Sequence, residues 1–129
     1  MFTAEQLQTA HSKVKSGADF PAYMQAIKKL GVTHYEAYVS DGRVDYHGKD
    51  DYTVQTPAHY APIVIADQAN IAVFQAQLLA HQQGKTDYTT FLHMCAENGI
   101  EKWKIHVENM TCTYYDLAQN EVLTEKIPH

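Results

Sequence analysis

The stretch that decides the fold is residues 19–39, DFPAYMQAIKKLGVTHYEAYV, read beside residues 87–107, DYTTFLHMCAENGIEKWKIHV. In each stretch an aspartate precedes apolar residues at helical spacing, a glycine follows, and a run with a period of two residues comes next. The two aspartates, Asp19 and Asp87, are 68 residues apart, and so are the two glycines, Gly31 and Gly99. Each stretch therefore predicts a helix that is capped by aspartate, ends at glycine and leads directly into a β-strand.

The sequence before each stretch predicts one further helix. Thr3 and Gln6 form a capping-box pattern, which predicts a first helix that runs to Lys15. In the second half, Asp67 is expected to cap a long helix that ends at Gly84.

The sequence after each stretch predicts two further strands. Asp41-Gly42 is typical of a two-residue hairpin turn, and it separates the first strand from its antiparallel neighbour. The same pattern predicts the remaining strands at residues 43–47, 52–55, 111–116 and 122–126. The short apolar run 63–66, which Pro62 precedes, also has the pattern of a short strand.

The offset of 68 residues suggests that the chain contains the same unit twice. Without a gap, it pairs Tyr23 with Phe91 and Tyr35 with Trp103. We interpret the two halves, residues 2–57 and 66–128, as copies of one helix–helix–strand–strand–strand unit, an internal duplication. The alternative is that any two helix–glycine–strand units align this well by pattern alone.

One such unit cannot easily cover its own apolar side, but two can share a core with helices in one layer and strands in the other. The sequence therefore predicts an α+β fold, a two-layer helix/antiparallel-sheet domain that spans residues 1–129 as a single domain. The residues expected in the core are Leu7, Val14, Tyr23, Ile27, Tyr35, Val39, Phe74, Leu78, Phe91, Trp103, Ile105 and Val107.

Composition excludes several classes of protein. The 129 residues are 45% hydrophobic and 19% charged, which excludes a disordered tail, a collagen and a coiled coil. The formal net charge of −5 has the wrong sign for a protein that binds nucleic acid. The sequence lacks a membrane-spanning run and a secretion signal, so neither a membrane partner nor export is expected and a cytoplasmic location is predicted. Cys95 and Cys112 are expected to be core thiols.

If Tyr35 and Trp103 face the helices, the strand period of two places a set of ionisable side chains on the opposite face of the sheet. This candidate binding face consists of His34, Glu36, Tyr38, Arg43, Asp45, Lys102, Lys104 and His106, with His47 beside them. The alternative is an ordinary hydrated face, because antiparallel sheets commonly show water one polar side. Tyr38, Tyr60 and Tyr115 are the tyrosines that this pattern leaves free to form an aromatic patch.

A metal site is a weaker interpretation of the histidines. The chain has eight histidines, and His34, Glu36 and His106 are the set that we consider as three ligands from one face. The sequence contains neither an H-x-x-x-H nor a C-x-x-C spacing. No metal and no cofactor are therefore expected, and no catalytic motif is present.

Four segments give the chain a family resemblance: HSKVKSGADFPAY (11–23), HQQGKTDY (81–88), EKW (101–103) and MTCTYYD (110–116). They resemble the YdfO-like bacterial and prophage-borne family of unknown function, of which some members are labelled "phage envelope protein". The resemblance covers nearly the whole chain and implies a small α+β domain. It implies no catalytic residues.

Two functions remain open. The first is an accessory or regulatory protein that acts by binding another protein or a second copy of itself. The second is a small-molecule-binding protein or enzyme on the polar sheet face, with Glu36 as the base and His34 or His106 as its acid–base partner. A concave pocket lined by these side chains favours the second function, whereas a flat face favours the first.

Overall fold

The chain folds into a layer of helices packed against an antiparallel sheet, as seen in a computed structural model that describes residues 2–14 and 19–126. Within these residues the helices are α1 (Ala4–His11), α2 (Phe20–Leu30), α3 (Ile71–Gln82) and α4 (Tyr88–Glu97). The strands are β1 (His34–Tyr38), β2 (Val44–His47), β3 (Thr53–Thr56), β4 (Ile100–His106), β5 (Thr111–Asp116) and β6 (Glu121–Lys126). The α+β fold is confirmed, and none of the helices in this part of the chain is long and apolar enough to cross a membrane.

The two halves of the chain meet at the centre of one six-stranded sheet. The strand order is β3-β2-β1-β4-β5-β6, and every neighbouring pair is antiparallel. In the central pair, His34 of β1 lies opposite His106 of β4, and Glu36 lies opposite Lys104. The last residues of the predicted second half, Ile127 and Pro128, lie outside the described residues.

The core lies between the helices and one face of the sheet. The ring of Tyr23 in α2 packs 6.4 Å from that of Tyr35, and Phe91 in α4 packs 6.0 Å from Trp103. The prediction that Tyr35 and Trp103 face the helices is therefore confirmed. Most of the expected core is fully buried, while Trp103 and Val14 are only partly buried against it. The indole is too large to be covered completely, and Val14 follows the end of α1.

The core also contains residues that the helical and strand patterns did not indicate. Phe2, before α1, is 2% exposed because its ring meets that of Tyr52 edge-on at 4.8 Å.

Cys95 and Cys112 are buried thiols, as expected, and burial raises the pKa of Cys112 to about 12.

The first helix is shorter than the capping pattern suggested. The capping box of Thr3 and Gln6 is present, with the Thr3 hydroxyl accepting a hydrogen bond from the Gln6 amide at 3.2 Å. The helix ends at His11, followed by Ser12, whereas the predicted end at Lys15 lies outside the described residues.

Of the three aspartates predicted to cap helices, Asp87 does so, Asp19 occupies the N-cap position without the expected side-chain capping hydrogen bond, and Asp67 is not a cap. Asp87 accepts the Thr90 amide at 2.7 Å and caps α4 as expected, but Asp19 makes no capping hydrogen bond to α2. Asn70, not Asp67, caps α3. The chain stays outside the helix as far as Asn70, because the amides of Ala66 and Asn70 first donate to the carbonyls of Ala96 and Asn98 at the end of α4.

The connection between β1 and β2 is wider than the predicted two-residue turn. The Tyr38 amide bonds to the Arg43 carbonyl at 3.0 Å, which leaves residues 39–42 as the loop. Val39 is fully buried and its amide donates to the Glu101 carbonyl, so the chain remains paired with β4 beyond the end of β1. Gly42 closes the loop with a φ of +80°, a conformation that favours glycine.

The apolar run at residues 63–66 is not a strand. Ile65 is buried whereas Val64 is 89% exposed, so the side chains alternate as in extended backbone. The amides of Ile63 and Ala66 donate to the carbonyls of Ser40 and Ala96 respectively, which belong to two different elements. The segment therefore ties the β1–β2 loop to α4 and takes no place in the sheet.

Candidate functional site

The face of the sheet that points away from the helices, here called the open face, gathers the sequence-predicted candidates. β1 contributes His34, Glu36 and Tyr38, and β4 contributes Lys102, Lys104 and His106. Arg43, directly before β2, and Asp45 of β2 join them. The period of two along β1 and β4 puts the candidates of these two strands on one side, because their sequence neighbours Tyr35, Ala37 and Ile105 are buried on the other. Since β1 and β4 are adjacent, candidates 64–72 residues apart in sequence lie side by side.

Glu36 is the best-connected carboxylate of the open face. Its Oε2 accepts a hydrogen bond from Lys102 Nζ at 2.6 Å, and its Oε1 lies 3.5 Å from His47 Nε2. Burial favours the neutral acid, but the hydrogen bond from Lys102 and the charges of Lys102, Lys104 and His47 outweigh it and hold the pKa of Glu36 below its usual value. Glu36 is therefore ionised and already paired, which makes it a weak general base.

Three imidazoles form a row across β2, β1 and β4. The ring of His34 stacks on that of His47 at 4.4 Å and lies 5.7 Å from that of His106. Desolvation lowers the pKa of His34, and the neighbouring His47, Lys104 and His106 lower it further against the opposing effect of Glu36. Desolvation and then Lys104 lower the pKa of His106. His34 and His106 are thus predominantly neutral at neutral pH and gain charge on acidification.

A second row combines aromatic rings with cations. The Arg43 guanidinium lies 3.9 Å over the ring of Tyr38 and bonds to Asp41 at 3.1 Å. Lys102 Nζ lies 5.6 Å from the Tyr38 ring and 5.4 Å from the Tyr115 ring. Burial alone would lower the pKa of Lys102, but its hydrogen bond to Glu36 raises it. The cations of this row are therefore held in place by rings as well as by carboxylates.

The structure places His47 and Tyr115 on this face, as the strand pattern suggested, and adds Thr111, Thr113 and Lys126, which were not named. His47 lies opposite His34, and Thr111, Thr113 and Tyr115 of β5 lie opposite His106, Lys104 and Lys102 respectively. Lys126 of β6 lies opposite Thr111. The period of two within each strand predicts which side chains share a face. Only the strand order and register show which of them lie next to the candidates.

The geometry does not support a metal site at His34, Glu36 and His106. Among residues 2–14 and 19–126, no three His, Cys, Asp or Glu side chains converge so that they could hold a metal ion. In the set His34, Glu36 and His106, the carboxylate is turned toward Lys102 and His47.

Two grooves on the described surface lie away from the open face. One, of about 510 Å³, runs beside α1 and Leu30, and the other, of about 290 Å³, lies between residues 60–63 and α4. Tyr60 lines the second groove and donates its hydroxyl to the Val39 carbonyl at 2.6 Å. Tyr60 therefore fastens the β1–β2 loop, whereas Tyr38 and Tyr115 belong to the open face.

Comparison with known proteins assigns the chain to a family. No curated protein matches the chain. The model of a family described as a protein of unknown function, DUF1398, matches residues 8–126. This range includes all six strands and every residue of the open face. The chain therefore belongs to the DUF1398 family.

Proposed function

We propose that this protein is a non-enzymatic accessory or regulatory protein that binds another protein through the open face. The observation that carries the proposal is the shape of this face: a continuous sheet surface, lined by charged and aromatic side chains, with the helices packed on its other side. At strand spacings of about 4.8 Å, six strands make a surface about 24 Å wide. A protein partner can cover such a surface, whereas a small ligand needs a concave site.

The side chains of the open face are ordered before any partner binds. The Arg43–Tyr38 stack and the Lys102–Glu36 ion pair hold two long cationic side chains in one place. Ordered side chains lose less conformational entropy on association, which increases affinity. Tyrosine and arginine are also enriched at the centres of protein interfaces.

The enzymatic or small-molecule alternative on His34, Glu36 and His106 has less support. The two grooves described above lie elsewhere. The lowered pKa of Glu36 also opposes its use as a base. These observations favour a binding surface over a reaction site.

The proposed setting is the cytoplasm of a bacterial cell, as an accessory protein of prophage type. The resemblance of residues 11–23, 81–88 and 110–116 to YdfO-like proteins supports this setting. The net charge of −5 supports a protein partner over nucleic acid.

Comparison of two surface variants tests the proposal. The variant Tyr38→Ser/Tyr115→Ser changes the open face, and Ala72→Ser/Gln75→Ser changes exposed positions of α3 as a matched control. A protein captured by the wild-type chain is purified, and its dissociation constant is measured by calorimetry. We expect the open-face variant to weaken binding at least about tenfold and the control to leave it unchanged. Equal binding to both variants would refute the proposal, and light scattering shows whether the partner is a second copy of the chain.

A further inference from the structure

Lys104 on the open face has no acidic partner in the part of the chain that the structure describes, unlike its neighbours Lys102 and Arg43. Lys102 is paired with Glu36, and Arg43 is paired with Asp41. Within the described residues, no carboxylate oxygen lies within 4.0 Å of the Lys104 ammonium. Glu36 lies directly opposite Lys104 in the sheet, yet its two oxygens face Lys102 and His47.

The surroundings of Lys104 add positive charge and hydrogen-bond donors. His106 lies two residues along the same strand, and His34 lies opposite His106 on β1. Thr111 lies beside His106, and beyond it the exposed Lys126 belongs to the same row. At strand spacings of about 5 Å and side-chain repeats of about 7 Å, one small anionic group can contact two or three of these side chains.

These side chains create a local positive potential in an acidic protein. Lys104 is one of the charges that lower the pKa of His34, and it acts on His106 in the same direction. The charged and titratable groups that face the two imidazoles are His47 and Glu36 from β2 and β1, and Lys104 from β4. An anion seated here relieves this repulsion and favours the protonated imidazoles.

We infer that Lys104, His34 and His106, here called the cationic corner, receive a glutamate or aspartate side chain from an acidic segment of the protein partner. This inference rests on the proposed function and adds the chemistry of the partner. A nucleic acid is a poorer fit, because the corner offers few cations and the remainder of a chain of net charge −5 repels a polyanion. The bound carboxylate pairs with the Lys104 ammonium and accepts hydrogen bonds from the imidazoles.

A titration monitored by NMR tests the cationic corner directly. The probe is a short unstructured peptide of alternating glutamate and serine, with the glutamine-for-glutamate peptide as its matched control. We expect the glutamate peptide to perturb His34, Lys104 and His106, and to bind about tenfold more tightly at pH 5.5 than at pH 7.5 because each imidazole gains a proton on binding. Equal binding of the glutamine peptide, or tighter binding of a DNA oligonucleotide, would overturn the inference.

Two variants distinguish binding at the cationic corner from a general loss of positive charge. Lys104→Gln removes the unpaired cation, and Lys85→Gln removes an exposed cation of the α3–α4 connection. We expect Lys104→Gln to weaken the glutamate peptide about tenfold and Lys85→Gln to have little effect. Equal losses would overturn the inference, and unchanged thermal melts show that both variants remain folded.

The captured partner distinguishes this inference from the proposed function. If Tyr38→Ser/Tyr115→Ser weakens partner binding but Lys104→Gln and acidification leave the affinity unchanged, the cationic corner does not receive a carboxylate. The open face is then still the binding surface. If the tyrosine variant has no effect on the partner, the proposed function itself fails.

Discussion

At the scale of single residues, the open face is governed by which of two lysines pairs with Glu36. Lys104 lies directly opposite Glu36 in the sheet. Lys102, which lies diagonally across from Glu36, nevertheless makes the ion pair, with its Nζ 2.6 Å from Glu36 Oε2. The diagonal choice leaves Lys104 without an acidic neighbour. This choice depends on side-chain rotamers, which a sequence pattern does not contain.

The Lys102–Glu36 pair is expected to contribute little to the free energy of unfolding but to lower the pKa of Glu36 clearly. Lys102→Met should raise the pKa of Glu36 toward its ordinary value and cost about 0.5–1 kcal/mol near neutral pH, because the pair is only partly shielded from water. The lowered pKa stabilises the fold above the ordinary pKa of glutamate, so the cost should vanish as Glu36 becomes protonated in acid. Carbon-detected NMR of the Glu36 carboxyl measures the shift. Lys104→Met is the control, and an equal or larger shift there would contradict the assigned pairing.

Acidification should destabilise the protein through the histidines. Burial and neighbouring cations lower the pKa of His34 and His106, so the unfolded chain binds more protons between the folded pKa values and the unperturbed value near 6.5. The free energy of unfolding is therefore expected to fall between about pH 7.5 and pH 5.5. Denaturant unfolding at both pH values measures this fall.

His34→Gln should reduce this pH dependence without abolishing it. Burial also lowers the pKa of His11, which lies at the end of α1 and acts in the same direction. A variant with the full wild-type pH dependence would show that His34 is not part of the destabilisation.

The open-face residues were predictable in part. The period of two along residues 34–38 and 102–106 was enough to put six of the candidates on one side of two strands. It could not show that His34 stacks on His47 or that Thr111 and Thr113 flank the site, because those contacts depend on the register between strands.

At the scale of secondary-structure elements, a glycine sets how closely α4 and β4 pack on the preceding connection. Gly99 and Gly84 share a φ of +79°. A Cβ at Gly99 would lie 2.6 Å from the Gln68 carbonyl oxygen and 2.8 Å from Ala69 backbone atoms, whereas a Cβ at Gly84 would meet nothing within 4 Å. The two positions thus differ in space and share the same backbone conformation.

Alanine at these two positions distinguishes the cost of a left-handed backbone from the cost of contact between a Cβ and neighbouring backbone atoms. Gly84→Ala should cost about 1–2 kcal/mol, because only the left-handed conformation is penalised. Gly99→Ala should cost about 4 kcal/mol, because backbone atoms that cannot rotate away must also move. Chemical denaturation of both variants measures the difference. Equal costs would show that the connection at residues 68–69 is loosely packed.

Helix ends and strand positions were predicted well where the signal is local, and poorly where it depends on distant partners. Asp87 and Gly99 bound α4 as expected, since both signals act within one turn of the helix. The start of α3 and the short strand at residues 63–66 were wrong, because that segment bonds to the β1–β2 loop and to α4. No local pattern specifies those partners.

At the scale of the whole molecule, the arrangement of elements repeats. The order helix–helix–strand–strand–strand occurs twice among the described residues, and β1 and β4 meet at the centre of the sheet. Glu36 lies opposite Lys104, the residue 68 positions later, so a two-fold axis through this pair would relate the two central strands. The internal duplication stays a prediction, because the repeated order is also what two similar patterns would produce.

The two halves are expected to fold only together. One hydrophobic core contains residues of both, from Phe2 to Tyr114, and the β1–β4 pairing joins them. Separate peptides of residues 2–57 and 66–128 should each lack a cooperative unfolding transition, because each loses its central strand partner and half of its core. Circular dichroism at low peptide concentration measures this. A cooperative transition in either peptide alone would show that the chain contains two domains.

The most direct test of the open face is a map of amide chemical shifts in the labelled chain when its purified partner is added. We expect the largest changes on β1, β2, β4 and β5, around Tyr38 and Lys104, with α1 and α3 unchanged. Changes confined to the helices, or to the groove between residues 60–63 and α4, would contradict a binding role for the open face.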